Sequence, residues 1–242
     1  MKKFLYSAMI LSLAFAISCD KDPNNTETTT NGESVVINGV SWATRNLKAH
    51  GEFVENTQDY GAFFQWGRKG DGHEQRISPI ASGPITVFDA NGQPTGTNTG
   101  RFITNGIPPW DWRTPQQNTL WNSGTESNPI KTVNDPCTQG WRMPTETELT
   151  SLGNAPSTWT TNWNGTGVAG RIFGTTPNTL FLPAAGYRSG SDGGLNLVGT
   201  NGYYWSSTVY RTSARGLNFF SGNVGVYDYA LACGRSVRCV LE

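Results

Sequence analysis

Glycine and proline interrupt this sequence so often that long helices have little room to form. The chain has 29 Gly and 13 Pro among 242 residues, and both residue types disfavour helix interiors. The clearest exception is MPTETELTSL, where Thr145 as N-cap and Glu148 three residues later predict a capping box. Leu149 and Leu152 would then face inward. The remaining sequence, rich in Gly, Asn, Thr and Trp, predicts short strands and long loops.

The charge balance limits the classes of partner. Lys plus Arg and Asp plus Glu are equal at 18 each, so the formal net charge is +0. Nucleic acid is not an expected partner, because phosphate binding needs a basic surface that this balance does not supply. A hydrophobic fraction of 36% in 242 residues is enough for one good core or two small ones.

The N-terminal residues predict export. Two lysines precede an apolar stretch that ends in AISC, the pattern of a signal peptide. This pattern resembles a bacterial lipobox, although Ala16 stands where Leu is usual. We therefore predict a signal peptide over residues 1–18, lipidation of Cys19, and a disordered tether over residues 19–34. The alternatives are an unmodified Cys19 behind a plain secretory signal and an uncleaved membrane anchor.

Residues 35–242 predict one domain, because no linker-like run divides them. VVINGVSW predicts two strands joined by a turn at Asn38-Gly39. GAFFQWGR, NTLFLPAAGYR and GYYWSSTVY predict further strands. DANGQPTGTNTG, from Asp89 to Gly100, predicts a flexible surface loop.

Several segments of this domain occur in the order and spacing of a known family. They are WATRNL, FFQWGR, NDPCTQGWRMPTETEL, GRIFG, LFLPAAGYR, GYYWSST and SVRCV. The chain resembles the Fibrobacter succinogenes major paralogous domain, a C-type-lectin-like family common on bacterial lipoproteins. The resemblance implies an α+β, C-type-lectin-like fold, with a mixed sheet, short helices, long loops and neighbouring termini. It also implies that Trp42, Trp66, Trp141 and Trp205 are core residues.

The cysteine count fits an exported domain. Besides Cys19, the chain has Cys137, Cys233 and Cys239, which is an odd number. Cys137 in NDPCTQGW and Cys239 in SVRCV both lie in motifs shared with the family, so the resemblance implies that they form a disulfide. Such a bridge closes a long loop and is worth about 4–5 kcal/mol in the chain-entropy model. Cys233 would remain free.

Signals for catalysis or cofactors are weak. GTGVAG at 165–170 matches G-x-G-x-x-G, but no strand of a βαβ unit precedes it. His50 and His73 are the two histidines, too few for a three-His metal site and little material for a His-based triad. Asp71, His73 and Glu74 are neighbours, a grouping that a solvated loop explains better than a metal site. The calcium and sugar motifs of animal C-type lectins are not found. We therefore predict no catalytic residue, metal or cofactor.

The segment from Thr208 to Arg235 has an unusual composition. It contains no Lys, Glu, Gln, Met or Trp, although all five occur elsewhere in the chain. Codons of the form NNC or NNT cannot encode these residues. Phe220 and residues 225–233 can each be reached from an Asn codon by changing adenines alone. The segment resembles the variable region of proteins targeted by diversity-generating retroelements, which predicts a variable region at about 208–235. The alternative is an ordinary pair of strands that lacks five residue types by chance.

This interpretation predicts a binding face on the segment. Leu217 and Phe219 would lie in the core while Phe220 faces outward. Tyr and Arg side chains are anchors of the kind that dominate protein interfaces. The predicted ligand-binding residues are Tyr210, Arg211, Ser213, Arg215, Phe220, Val226, Tyr227, Asp228, Tyr229, Ala230, Leu231 and Cys233.

Together these features predict a surface-displayed ligand-binding lipoprotein rather than an enzyme. The expected location is the bacterial cell envelope, with a lipid anchor in the outer membrane and the domain exposed at the surface. The expected partner is a protein or glycan ligand at the cell surface. The first alternative is a fixed-specificity adhesin such as a pilus-tip lectin-like domain. The second is a lectin-like enzyme related to formylglycine-generating enzymes, which would need a reactive cysteine pair.

Overall fold

Short strands make up most of the regular structure in residues 34–242, the part of the chain that this computed structural model describes. The predicted signal peptide, Cys19 and nearly all of the predicted tether lie outside the described residues. The first nine strands are β1 Ser34–Ile37, β2 Val40–Ala43, β3 Leu47–Ala49, β4 Glu52–Phe53, β5 Phe64–Gln65, β6 Ile80–Ser82, β7 Phe102–Thr104, β8 Trp141–Arg142 and β9 Ser157–Thr160. The last nine are β10 Gly170–Thr175, β11 Asn178–Pro183, β12 Tyr187–Arg188, β13 Leu195–Asn196, β14 Gly202–Tyr210, β15 Ser213–Phe220, β16 Asn223–Ala230, β17 Gly234–Arg235 and β18 Val240–Leu241.

The predicted α+β, C-type-lectin-like fold is wrong, because the described residues form a mainly β structure. They contain one α-helix, α1 (Glu146–Gly153), and two 3-10 turns, Gly96–Asn98 and Trp163–Gly165. The strands are divided among six small sheets of two to four strands each. Five sheets are antiparallel, and the pair β6–β7 is parallel. A mixed sheet flanked by helices needs longer uninterrupted elements than this glycine-rich sequence supplies.

Helix α1 begins at the predicted capping box. The Thr145 hydroxyl accepts a hydrogen bond from the Glu148 amide at 3.3 Å, and the Glu148 carboxylate accepts one from the Thr145 amide at 2.8 Å. Arg142 holds the same carboxylate through two bonds of 2.8 and 2.6 Å. Leu149 and Leu152 are buried as predicted. Local capping therefore fixes this helix start.

The first hairpin also forms as predicted. Asn38 and Gly39 have φ values of +49° and +82°, and Ile37 pairs with Val40 across the turn. Two central residues with positive φ are the requirement of a type I′ turn, which Asn-Gly meets at low cost. The Asn38 side chain donates to the carbonyl of Ser151 at 2.8 Å, which ties the hairpin to α1.

Strand β18 joins distant parts of the chain in one sheet, ordered β1-β2-β18-β8. Val240 pairs with Trp42 on one side and with Arg142 on the other. Directly before it, Cys239 forms a disulfide with Cys137, 102 residues away in sequence. The predicted disulfide is confirmed, and Cys233 is a free thiol.

Two clusters of buried side chains form the core. One contains Trp66, Trp141 and Trp205, and the other contains Trp42 together with the inward-facing leucines of α1. All four tryptophans are at most 1% exposed, so their predicted core position is confirmed. The tryptophan side chains supply much of the buried apolar area that stabilises short strands.

The loop from Asp89 to Gly100 is anchored rather than free, contrary to the prediction of a flexible surface loop. Gln93 is 2% exposed, and its side-chain amide donates to the Gly67 carbonyl at 2.9 Å. Its side-chain oxygen accepts from the Lys69 amide at 3.1 Å. A buried glutamine with both ends hydrogen-bonded holds the middle of the loop in place.

Candidate ligand-binding face

The predicted variable segment forms most of a three-stranded antiparallel sheet, β14-β15-β16, which we call the C-terminal sheet. Two hairpins build it, one turning after Tyr210 and the other after Phe220. In β15 and β16 the pairing is regular from Ser213 opposite Ala230 to Phe220 opposite Asn223. A regular register fixes which side chains share a side of the sheet.

Strand alternation divides the predicted binding residues between the two sides of this sheet. Arg215 pairs with Asp228 on the side that also carries Leu217 and packs against α1, here called the helix side. Tyr227 pairs with Gly216 on the opposite side, here called the second side. Neighbours in a strand point to opposite sides, so the predicted residues cannot form one continuous surface.

A cluster of charged and aromatic groups lies on the helix side. The Arg215 guanidinium is 2.7 Å from the Asp228 carboxylate and 3.2 Å from the Glu146 carboxylate at the start of α1. It also lies over the Tyr210 ring, 4.4 Å from the ring centroid, while Arg211 approaches that ring at 5.1 Å. We call these five residues the arginine–tyrosine cluster. Tyr210 is 40% exposed, so the cluster presents an aromatic ring held by two cations.

Glu146 was not predicted as a site residue. It appeared in the sequence only as part of the helix that the capping box begins. Its contact with Arg215 depends on α1 packing against the C-terminal sheet. The local sequence around Glu146 does not predict that α1 packs against the C-terminal sheet.

Phe220 and Tyr227 are exposed on the second side. Phe220 is 38% exposed and Tyr227 is 44% exposed, and Leu217 and Phe219 are buried, as predicted. The Tyr227 hydroxyl accepts a hydrogen bond from the Asn223 side chain at 2.8 Å. Phe220 and Tyr227 are therefore available to a ligand.

Tyr229 has a supporting position beside a buried cation. The Arg235 guanidinium lies 3.5 Å from the Tyr229 ring centroid, 4.7 Å from that of Tyr203 and 4.8 Å from that of Trp205. Arg235 is only 3% exposed. Burial raises the pKa of Tyr229 to about 12. With Tyr187 at 5.6 Å, four aromatic rings surround this guanidinium, and they stabilise the end of the sheet more than they offer a contact surface.

Leu231 lies in the core rather than on the predicted face. It is 1% exposed and packs in the cluster that contains Trp66 and Trp205. Strand β16 ends at Ala230, so the alternation that suggested an outward face stops before this residue. The Leu231 carbonyl then accepts from the Trp66 amide at 3.3 Å. A turn, not a strand, places the side chain inward.

The other predicted residues are partly covered. Val226 packs beside Leu217 in the second core cluster. Ser213, Ala230 and Cys233 are half-buried. These four positions offer a ligand less surface than Tyr210, Arg211, Phe220, Tyr227 and Asp228, which are exposed.

The grouping of Asp71, His73 and Glu74 is buried, not solvated as predicted. His73 is 0% exposed; its Nε2 accepts from the Gln65 amide at 3.1 Å and its Nδ1 lies 2.7 Å from Asp71. Arg68 donates to the same carboxylate at 2.7 Å. Burial, together with the Arg68 charge, lowers the pKa of His73 to about 4. One ligand atom from each of the three lies within 4.8 Å of the others, but these protein contacts explain the arrangement without a metal.

A family described as a domain of unknown function, DUF8237, matches residues 154–240. The matched region, about a third of the chain, begins after α1 and contains the whole C-terminal sheet. No curated protein and no solved structure matches the chain. Among the described residues, no helix is long and apolar enough to cross a membrane.

Proposed function

We propose that this protein is a non-enzymatic binding protein displayed on the bacterial surface, with the C-terminal sheet as its main ligand-binding element. The observation that carries this proposal is the exposure of Tyr210, Phe220 and Tyr227, at 38–44%, on one small sheet. Large aromatic side chains on a rigid element are typical anchors of protein interfaces. The ligand class that fits them best is a protein.

The arginine–tyrosine cluster is the part of this sheet best arranged for a protein ligand. Its ion pairs and cation–π contacts hold Arg215 and Tyr210 in place before binding. Preorganised side chains lose less conformational freedom when a ligand binds. Arg211, which is exposed beside them, adds a free cation for an acidic group of the ligand.

Lipidation of Cys19 and diversification of residues 208–235 belong to the same proposal. Within this proposal, replacement should be tolerated best at exposed positions such as Phe220 and Tyr227. Leu231 should tolerate replacement poorly, since it packs in the core. A diversified segment would therefore keep an apolar residue there while the exposed positions change.

A fixed-specificity adhesin is the alternative that shares this geometry, whereas an enzyme would need reactive groups at the face. Sequencing the flanking DNA separates diversification from fixed specificity. A near-copy of the coding segment with Asn codons at the exposed positions would support diversification, and its absence would favour the adhesin.

Quantitative capture of surface proteins tests the binding face directly. Wild type, a Tyr210→Ser/Arg211→Ala variant and an Arg101→Ala control would be immobilised and exposed to labelled surface proteins of bacterial and host cells. A ligand that uses the face should bind the double variant at least about 30-fold more weakly, the effect of losing a 2 kcal/mol hot spot. It should bind the control normally, because Arg101 is exposed elsewhere. Equal capture by all three would refute the arginine–tyrosine cluster as the binding surface.

A further inference from the structure

A small pocket lies beside the end of β16 and is built by three separate segments. It has a volume of about 280 Å³. Its lining residues are Asn105, Gly106, Trp110, Tyr187, Ser189, Gly190, Ser191, Ala230 and Cys233. Only the last two belong to the proposed variable segment, so residues outside that segment form most of the pocket.

Backbone contacts fix the three segments relative to one another. The Asn105 amide donates to the Gly190 carbonyl at 2.7 Å, and the Ala232 amide donates to the Trp110 carbonyl at 3.0 Å. A Cβ atom at Gly190 would lie 2.8 Å from the Ala232 backbone, so only glycine allows this close approach. The pocket is therefore preformed, as binding sites for small groups usually are.

Trp110 forms an unusual wall of this pocket. Its side chain is 48% exposed, although burying an indole is one of the largest apolar gains available to a protein. Its backbone has φ +57°, a left-handed conformation that is rare for bulky residues. Such conformations persist where the surroundings enforce them and are concentrated at ligand sites. Here the enforcing contacts are the bonds from the Trp110 amide to Ile107 and from Ala232 to the Trp110 carbonyl.

The rest of the lining includes several polar side chains but carries no formal charge. Ser189 and Ser191 contribute two hydroxyl groups, whose oxygens lie 2.9 Å apart. Tyr187 contributes a phenol. The Asn105 side-chain amide lines the pocket but is already paired with the Asp111 carbonyl and the Ile107 amide. An ionic ligand would lose hydration here without gaining a counter-charge. The pocket chemistry therefore selects a neutral group.

We infer that this pocket binds one neutral sugar residue of a glycan, with an apolar face of the ring against Trp110. A sugar ring combines apolar C–H faces with hydroxyl groups at its edge, which matches an indole wall beside the phenol of Tyr187 and the hydroxyls of Ser189 and Ser191. A purely apolar side chain would cover the Tyr187 phenol and the remaining hydrogen-bonding capacity of the two serine hydroxyls without pairing them, which is unfavourable. The sugar class thus satisfies both parts of the lining.

This inference does not rest on diversification or on the arginine–tyrosine cluster. A protein ligand would use exposed side chains of the C-terminal sheet, whereas the sugar would use fixed residues of two other loops. The two activities can therefore be lost separately. The protein would combine a fixed glycan subsite with an adjacent face for a protein.

Two variants alter the pocket in opposite ways. Trp110→Ala removes the aromatic wall. Gly106→Leu fills the pocket, and a Cβ there meets its nearest neighbour, Ser191, at an ordinary 3.5 Å. Tyr227→Ser is the matched control on the C-terminal sheet. Thermal melts show which variants fold. If Trp110→Ala does not fold, binding by Gly106→Leu alone decides the test.

The experiment titrates the full chain with methyl glycosides of neutral hexoses and N-acetylhexosamines at millimolar concentration. Glucuronate, N-acetyl-tyrosinamide and N-acetyl-leucinamide are the comparison ligands. The first readout is the indole N–H resonance of Trp110, assigned by its loss in Trp110→Phe. The second is the rate of Cys233 alkylation by iodoacetamide, separated from Cys19 by peptide mapping.

At least one neutral glycoside should shift the Trp110 resonance saturably. When this glycoside is present at about four times its Kd, the rate of Cys233 alkylation should fall about fivefold, because one pocket in five remains free. Both pocket variants should lower the affinity for this glycoside at least about tenfold, and Tyr227→Ser should leave that affinity unchanged. The inference is overturned if no glycoside binds, if glucuronate binds as tightly, or if only the two amides bind. Sugar binding that survives both pocket variants would also overturn it.

Discussion

The division of the predicted variable segment into exposed and packed positions predicts that substitutions at Tyr227 and Leu231 differ greatly in their cost to stability. Tyr227 is 44% exposed, and its hydroxyl bonds only to the exposed Asn223 side chain. Tyr227→Ser leaves no cavity, so it should cost about 0.5 kcal/mol or less. Leu231 is 1% exposed among aromatic core residues. Leu231→Ala should leave a cavity there and cost about 2–5 kcal/mol.

Thermal unfolding of the oxidised protein measures this difference. For a domain of this size, each kcal/mol shifts Tm by about 2–4 °C. Leu231→Ala should therefore lower Tm by about 4–20 °C, whereas Tyr227→Ser should lower it by less than about 2 °C. Leu217→Ala is the matched buried control, since Leu217 is 0% exposed. Phe220→Ser is the matched exposed control.

Two results would refute the reasoning. If Tyr227→Ser destabilised the protein as strongly as Leu217→Ala, the ring would be packed and unavailable to a ligand. If Leu231→Ala behaved like Phe220→Ser, the turn after β16 would not place its side chain in the core. The second result would restore the simpler prediction of one outward-facing segment.

Three further predictions concern the disulfide, a buried histidine and the N-terminus. Replacing Cys137 and Cys239 together by Ser should lower the free energy of unfolding by about 4–5 kcal/mol, because the bridge spans 102 residues; an unchanged urea midpoint would contradict this. The unfolded chain binds a proton at His73 near pH 6.5 and the folded chain only near pH 4. Stability should therefore fall as the pH drops through this window, by about 3 kcal/mol in total. Comparison with His73→Gln at pH 7 and pH 4 isolates this contribution, and identical pH dependence in the two proteins would rule it out. Cys19→Ala should release the protein from membranes, and retention through a carbonate wash would argue against a lipid anchor.

The sequence predicted the structures that depend on neighbouring residues. The capping box at Thr145 and the turn at Asn38-Gly39 each involve side chains and amides within four positions. Strand alternation likewise predicted that Leu217 is buried and Phe220 exposed. In these cases the residues that make the contacts are also the residues that the local pattern contains.

Positions that depend on distant segments were predicted poorly. Leu231 is buried because the loop containing Trp66 folds over the turn after β16. His73 is bonded to Gln65, and Asp71 is bonded to Arg68. Gln65 and Arg68 are held in turn by the carbonyls of Ala232 and Arg101, so distant segments complete this buried network. The codon pattern of the variable segment suggested that Leu231 is exposed, and the run of polar residues suggested that His73 is solvated. Tertiary contacts decided both outcomes, since a polar grouping can be buried once each member has a partner.

The candidate site shows the same limit. Its residue types were predictable, because Tyr and Arg are frequent anchors of binding surfaces. Their division between two sides of a sheet required the register of β15 and β16. The roles of Glu146 and Trp110 required the packing of α1 and of a remote loop against the segment. The sequence alone contains no signal for either contact.

The position of β18 between β2 and β8 has a consequence for when the domain can fold. Strand β2 cannot gain its second neighbour until Val240, near the end of the chain, is available. Pairing between such distant residues closes long loops before it returns any stabilising contact, which slows folding. During synthesis from the N-terminus, β8 and the second edge of β2 therefore have no partner strand in this sheet until β18 is available. The four-stranded sheet therefore cannot be complete before Val240 has been synthesised.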